Sequence, residues 1–231
     1  MMLDELRRHV CEANLALKRT GLVFQTWGNA SAVDPDRKWV CIKPSGIAYD
    51  RMTPEDMVIT DLEGIPVEGS LRPSVDLASH LALYRAFPEI GGIVHTHSHY
   101  ATCFAQARRE LPCLGTTHAD YFEGSVPLVS PPSRDEVAED YEGNTGSCIV
   151  KALSGGSPLR RPAALVAGHG PFVWGATVEQ AVENAGVLEE LARMAFHTFS
   201  LEPDAPPLEA YLLAKHFQRK HGSQAYYGQE G

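Results

Sequence analysis

Between residues 3 and 17, Leu3, Leu6, Val10, Ala13 and Leu17 recur at intervals of three and four, the pattern of a helix with one apolar face, and Gly21 offers a stop. Shorter apolar runs at 22–25, 39–43 and 57–60 read as strands, and Asp61-Leu62-Glu63-Gly64 reads as a turn into another. Ser74 or Asp76 can cap a helix running through Leu77, Leu81 and Tyr84 towards Pro88. Gly91-Gly92-Ile93-Val94 then reads as entry into a buried strand. A short helix across 100–107 and an irregular stretch holding Thr116-Thr117-His118-Ala119-Asp120 follow. Ala164-Leu165-Val166-Ala167 reads as a further strand end. Thr177-Val178-Glu179-Gln180 fits a capping box that opens a long helix through Val182, Ala185, Leu188 and Leu191, and a last helix follows Pro206-Pro207 around 212–220. Hairpins mixed with helices predict a layered α/β domain with a mixed, substantially antiparallel sheet.

Composition narrows the class. A chain of 231 residues with no Pro/Ser/Gly-rich divider is read as one domain, 1–231. No apolar run approaches the roughly 18 residues of a membrane span, and the mixed charges of the N-terminus lead into no signal core, so no membrane partner and a cytoplasmic location are expected. Five cysteines without a Cys-x-x-Cys pair indicate neither a disulfide framework nor a thiolate metal site. The formal charge of −9 argues against a nucleic-acid partner, although a phosphorylated small molecule needs only a local cluster of donors. There is no Gly-x-Gly-x-x-Gly or Walker-type loop, and Ser45 in Pro44-Ser45-Gly46 lacks the nucleophile-elbow pattern.

The chemistry-bearing feature is Val94-His95-Thr96-His97. A lone histidine in a buried strand is more often a satisfied core residue than a ligand. Alternate residues of a strand share a face, however, which places His95 and His97 about 6 to 7 Å apart and lets both rings meet one ion. His169, in Gly168-His169-Gly170 after another strand end, supplies a third imidazole, and three histidines with an open position describe a catalytic metal site.

Taken in order, Thr26-Trp27-Gly28-Asn29, Lys43-Pro44-Ser45-Gly46, Pro73-Ser74-Val75-Asp76, His95-Thr96-His97, Thr117-His118-Ala119-Asp120-Tyr121-Phe122, Gly168-His169-Gly170-Pro171-Phe172 and Ala225-Tyr226-Tyr227-Gly228-Gln229 make the chain resemble the sugar-phosphate 4-epimerases of the class II aldolase and adducin-related family. The resemblance runs from the first helix almost to the C-terminus. It implies a three-layer α/β/α fold with a central, mostly antiparallel sheet. It also implies a homotetramer with active sites between subunits, the segment 207–231 completing a neighbour's site. The implied reaction interconverts L-ribulose 5-phosphate and D-xylulose 5-phosphate by retro-aldol cleavage and re-addition at the C3–C4 bond.

By the same resemblance His95, His97 and His169, with Asp76 close by, hold Zn2+ as a Lewis acid, Mn2+ or Co2+ being compatible with such ligands. Asp120 and Tyr227 are the implied acid and base on opposite faces of carbon 4, Tyr227 and His216 coming from the neighbouring subunit. The phosphate is implied to sit among Asn29, Lys43, Ser45, Gly46 and Ser74. Without the resemblance, Asp76 reads as a helix cap, Asn29 and Ser45 as turn formers, Lys43 as a solvated charge and Tyr227 as part of a fraying tail. One departure stands out: the family's epimerases commonly carry Ser-Ser-Asp where this chain has Ser74-Val75-Asp76, so a hydroxyl for the phosphate is missing and weaker phosphate binding is expected. The competing activities are a class II sugar-phosphate aldolase, whose members typically place Glu where Asp76 stands, and a non-catalytic adducin-like interaction module.

Overall fold

The computed structural model describes residues 2–68, 70–153, 155–223 and 225–226. Helix α1 (Met2–Arg19) is the amphipathic first helix. Its end explains why 22–25 is no strand: the N–H of Leu22 donates to Leu17 O at 3.0 Å and that of Gly21 to Lys18 O at 3.2 Å, with Gly21 at φ +74°. This is the left-handed cap of a Schellman motif, which uses the hydrogen bonds a strand would have needed.

The described residues build one eight-stranded sheet. Its strands are β1 (Asn29–Val33), β2 (Trp39–Ile42), β3 (Val58–Asp61), β4 (Pro66–Glu68), β5 (Gly92–His95), β6 (Leu128–Val129), β7 (Ala163–Val166) and β8 (Gly170–Gly175). The spatial order is β4-β3-β2-β1-β5-β8-β7-β6; β6 and β7 run parallel and the other neighbours antiparallel, so the sheet is mixed and mostly antiparallel. The Asp61 carboxylate builds the turn into β4 by accepting the N–H groups of Glu63 and Ile65, both at 2.9 Å.

Strands buried on both faces read as near-continuous apolar runs, and here the two faces separate residue by residue. Ala30, Ala32, Cys41, Val94 and Leu165 pack with α1, α3 (His99–Gln106) and α6 (Val178–Leu201). Val40, Ile42, Ile93, Ala164, Phe172 and Trp174 pack with α2 (Leu77–Ala86) and α5 (Arg134–Ala152). Asn29, Ser31 and His95 alternate with the first set, so they face the α2 and α5 layer.

Several elements differ from the sequence pattern, among them strands β1 and β6, which no strand-like run announced. The stretch around Asp120 is not irregular: 116–119 form the short helix α4 (Thr116–Ala119). Strand β8 is hidden in the sequence, its glycines and Pro171 masking an apolar core. Helix α5 is hidden as well because its sequence is polar and interrupted, although Ser133 and Glu136 form a full capping box at its start. Helix α7 (Ala210–His221) is the last helix among the described residues.

Candidate metal centre

Strand β5 ends on His95, which pairs across the ladder with Asn29 of β1 and Phe172 of β8. The Nδ1–H of His95 donates to the Pro171 carbonyl at 2.9 Å, and its ring stacks on Phe172 at 4.2 Å. A carbonyl can only accept, so the proton is on Nδ1 and the Nε2 lone pair is bare. His97 lies past the end of β5, not in the strand as its spacing suggested, yet its Nε2 is 3.2 Å from His95 Nε2. His169 sits in the turn between β7 and β8, its ring centroid 4.7 Å from that of His95 and 5.1 Å from that of His97. Ligand-capable atoms of the three rings lie within 4.8 Å of one another.

Burial first, and neighbouring imidazoles second, lower the pKa of His97 and push that of His169 down to about 4, against the opposing pull of Asp76. Both rings are therefore neutral near pH 7, the state a metal needs. Three imidazoles whose ligand-capable nitrogens converge suit a divalent cation of the zinc, manganese or cobalt type, and the residues present fit one.

Asp76 occupies the N-cap position of α2 but does not cap it. Its Oδ2 instead accepts from Asn29 Nδ2 at 2.7 Å and from Ser74 Oγ at 3.3 Å. Burial alone would raise this carboxyl; His95, His80, the Asn29 hydrogen bond and His169 outweigh it and hold the pKa below the ordinary value.

Lys43, just beyond β2, is 2% exposed, so it is not a solvated charge. Its Nζ donates to the carbonyls of Thr26 and Pro44, each at 3.3 Å, and lies 4.9 Å from the Tyr49 ring. Burial lowers its pKa to about 8, with Asp76 resisting.

One cavity of about 590 Å3 takes in His95, His97, His169, Asp76, Asn29, Lys43, Ser45, Gly46 and Ser74. Its wall also includes Val75, beside the expected phosphate position, and Trp27, Tyr141 and Glu142, which carry no site role in the sequence pattern. Tyr141 and Glu142 reach it because α5 breaks at Asp140 (φ −159°, ψ 91°) and restarts, Asp140 Oδ1 accepting the Gly143 N–H at 3.0 Å. The Tyr141 hydroxyl then lies 3.3 Å from His169 Nδ1, and Ser79 Oγ donates to the Glu142 carbonyl at 2.5 Å, pinning the break to α2. The Asp140-x-x-Gly143 spacing is the signal that could have revealed it.

Asp120 and His216 are together, but not in this cavity. Asp120 ends α4 beneath α7. Its Oδ1 accepts from His216 Nδ1 at 3.1 Å and Arg219 Nε at 2.9 Å, its Oδ2 from Arg219 Nη2 at 2.7 Å, and its carbonyl from His221 Nε2 at 2.8 Å. Burial opposes ionisation, but the hydrogen bonds from Arg219 and His216 lower the Asp120 pKa overall. Arg219 and His221 do not stand out from sequence; basic residues at 216, 219 and 221 of one helix were the available sign. Tyr227 lies outside the described residues. Among the described residues, no helix is long and apolar enough to cross a membrane.

Residues 8–196 match the class II aldolase and adducin N-terminal domain. The chain is 51% identical over 228 residues, 99% of its length and 100% of the relative's, to the L-ribulose-5-phosphate 4-epimerase UlaF of Salmonella paratyphi A, and equally to that of Salmonella typhi. Among solved structures it is similar to an L-fuculose 1-phosphate aldolase (TM-score 0.80, 23% identity, 93% of this chain and 95% of that one). It is also similar to the L-fuculose-1-phosphate aldolase of Thermus thermophilus (TM-score 0.66, 26% identity, 87% and 99%).

Proposed function

The chain belongs to the class II aldolase and adducin family, and from that premise we propose that it is a metal-dependent epimerase interconverting L-ribulose 5-phosphate and D-xylulose 5-phosphate. The observation that carries the reading is the single cavity joining a three-imidazole centre to a buried lysine, a place for an electrophile beside a place for a phosphate.

A divalent ion held by His95, His97 and His169, with Asp76 at hand, supplies Lewis acidity against negative charge developing on substrate oxygens; zinc is the first choice. The chain's own residues do the rest. Lys43, Asn29, Ser45, Gly46 and Ser74 hold the phosphate at one end of the cavity. One acid–base group takes the proton from the hydroxyl on carbon 4. The C3–C4 bond breaks, its electron pair stays with the three-carbon fragment, and carbon 4 becomes an aldehyde carbon. After the aldehyde turns over, the same electron pair re-forms the bond on its other face, and the second group delivers a proton to the new alkoxide. Two groups on opposite sides are needed, and Asp120 and Tyr227 take these roles.

Asp120 is bonded to His216 and does not line its own chain's cavity, which supports the reading that this set serves a neighbouring subunit. The segment 207–231 carries His216 and Tyr227 there, and the assembly is a homotetramer. The protein works on a small sugar phosphate.

A coupled assay offering L-ribulose 5-phosphate with zinc is expected to yield D-xylulose 5-phosphate with wild type. His97→Asn and Asp120→Asn are expected to fall by about 10²-fold or more, the usual scale of a positioned proton-transfer group for the latter. Absence of product from zinc-loaded wild type would overturn the assignment.

A further inference from the structure

Strand β1 and helix α2 meet along a strip of polar contacts, of which the reaction above uses Asn29 and Asp76 but not Ser31, His80 or Tyr84. Asn29 and Ser31, alternate residues on one face of β1, oppose Asp76, His80 and Tyr84, spaced four apart along α2. Asn29 holds Asp76 at 2.7 Å; Ser31 Oγ lies 2.7 Å from His80 Nδ1 and 2.8 Å from the Tyr84 hydroxyl. Ser31, His80 and Tyr84 are at most 1% exposed. A buried polar atom without a partner is costly and calls for a reason, and His80 Nε2 is one such atom here.

The direction of the hydrogen bonds fixes its proton. If Tyr84 donates to Ser31 and Ser31 donates to His80 Nδ1, each hydroxyl is satisfied and the imidazole proton sits on Nε2. The reverse direction spends the Ser31 proton on Tyr84 and turns the Tyr84 proton away from the strip. His80 follows Asp76 by one helical turn, the His80 N–H donating to Asp76 O at 3.1 Å. Phe172 stacks on His95 at 4.2 Å and meets the His80 ring edge-on at 6.0 Å.

We propose that His80 is a positioning residue for Asp76: its Nε2–H is the donor available to the Asp76 carboxylate when that group turns from Asn29 to join the three imidazoles around a metal ion. The proposal rests on the metal-centre reading, and metal binding tests both separately.

Zn2+ is titrated calorimetrically into metal-free wild type, His80→Asn and His80→Gln. Asparagine keeps a partner for Ser31 and deletes the Nε2 position; glutamine reaches that position. His80→Asn is expected to weaken zinc binding about 10- to 100-fold, the usual cost of losing an outer-layer partner, and His80→Gln to stay within about threefold of wild type. In an Asp76→Asn background His80→Asn is expected to add nothing. Unchanged affinity in His80→Asn, an equal loss in His80→Gln, or a full loss persisting without the Asp76 carboxylate each overturns the proposal. If His80→Asn shows no cooperative thermal transition, Ser31→Ala replaces it, since it frees the tautomer without removing the ring: several-fold weaker binding supports the assignment and unchanged affinity overturns it. Wild type that takes up no zinc overturns the metal centre itself.

Discussion

Lys43 shows most plainly how one side chain links charge, burial and pH. The residue is 2% exposed, its ammonium donates to two backbone carbonyls at 3.3 Å, and burial lowers its pKa to about 8. The folded value lies below the unfolded one near 10.4, so burying the charged form costs stability below about pH 8, and that cost is relieved as pH rises from about 8 towards 10.4. The proposed phosphate binding needs the cation and so runs the other way. For the sugar phosphate, kcat/KM is expected to fall as pH rises through about 8. Lys43→Met is expected to raise KM about tenfold or more, the scale of a lost charge-assisted hydrogen bond, and to abolish that limb; a limb that survives in the variant would assign it to another group. The sequence made Lys43 visible through its neighbours Pro44-Ser45-Gly46, but could not show its burial, which depends on Thr26 and Tyr49 closing over it. Val75 was legible in both respects: it lines the cavity beside Ser74, 64% exposed, with no hydroxyl to offer.

Among the elements, α5 departs furthest from a regular pattern, and its break is what brings Tyr141 to His169. Gly143 permits the break: a Cβ there would stand 2.0 Å from Asp140 Oδ2. Gly143→Ala is therefore expected to dislodge the Asp140 cap, destabilise the protein by about 0.5–2 kcal/mol despite the better helix propensity of alanine, and weaken metal binding, as seen by thermal melts with and without Zn2+. A variant as stable as wild type with unchanged metal affinity would remove the break from the account. The apolar periodicity announced α1 and α6 because each lays one continuous stripe on the sheet. It could not announce α5, a polar helix in two pieces, nor the 22–25 stretch, whose apolar residues serve the end of α1. The histidine set was legible because strand ends and glycines bracket it. The surroundings of Asp120 were not, because His216 and Arg219 come from 96 and 99 residues away.

For the whole molecule the decisive fact is that the three-histidine cavity and the Asp120 cluster of one chain are separate. In the proposed tetramer each active site then draws on two subunits. His97→Asn and Asp120→Asn proteins, each inactive alone, are expected to recover activity when unfolded together and reassembled; with equal amounts and random mixing about a quarter of sites would pair two intact halves. Recovery of nothing above the separate variants would place both halves of the site in one chain.

The two-faced alternation of β1 has one more consequence. Sliding β1 by a single residue against β2 and β5 would turn Asn29 and Ser31 into the hydrocarbon layer beneath α1 and α6, and Ala30 and Ala32 towards Asp76 and His80. Each stranded polar group would cost about 1–3 kcal/mol. Asn29 in the cavity wall and the buried Ser31 behind it therefore also act as a key during folding, rejecting misaligned sheets that the apolar positions alone would tolerate.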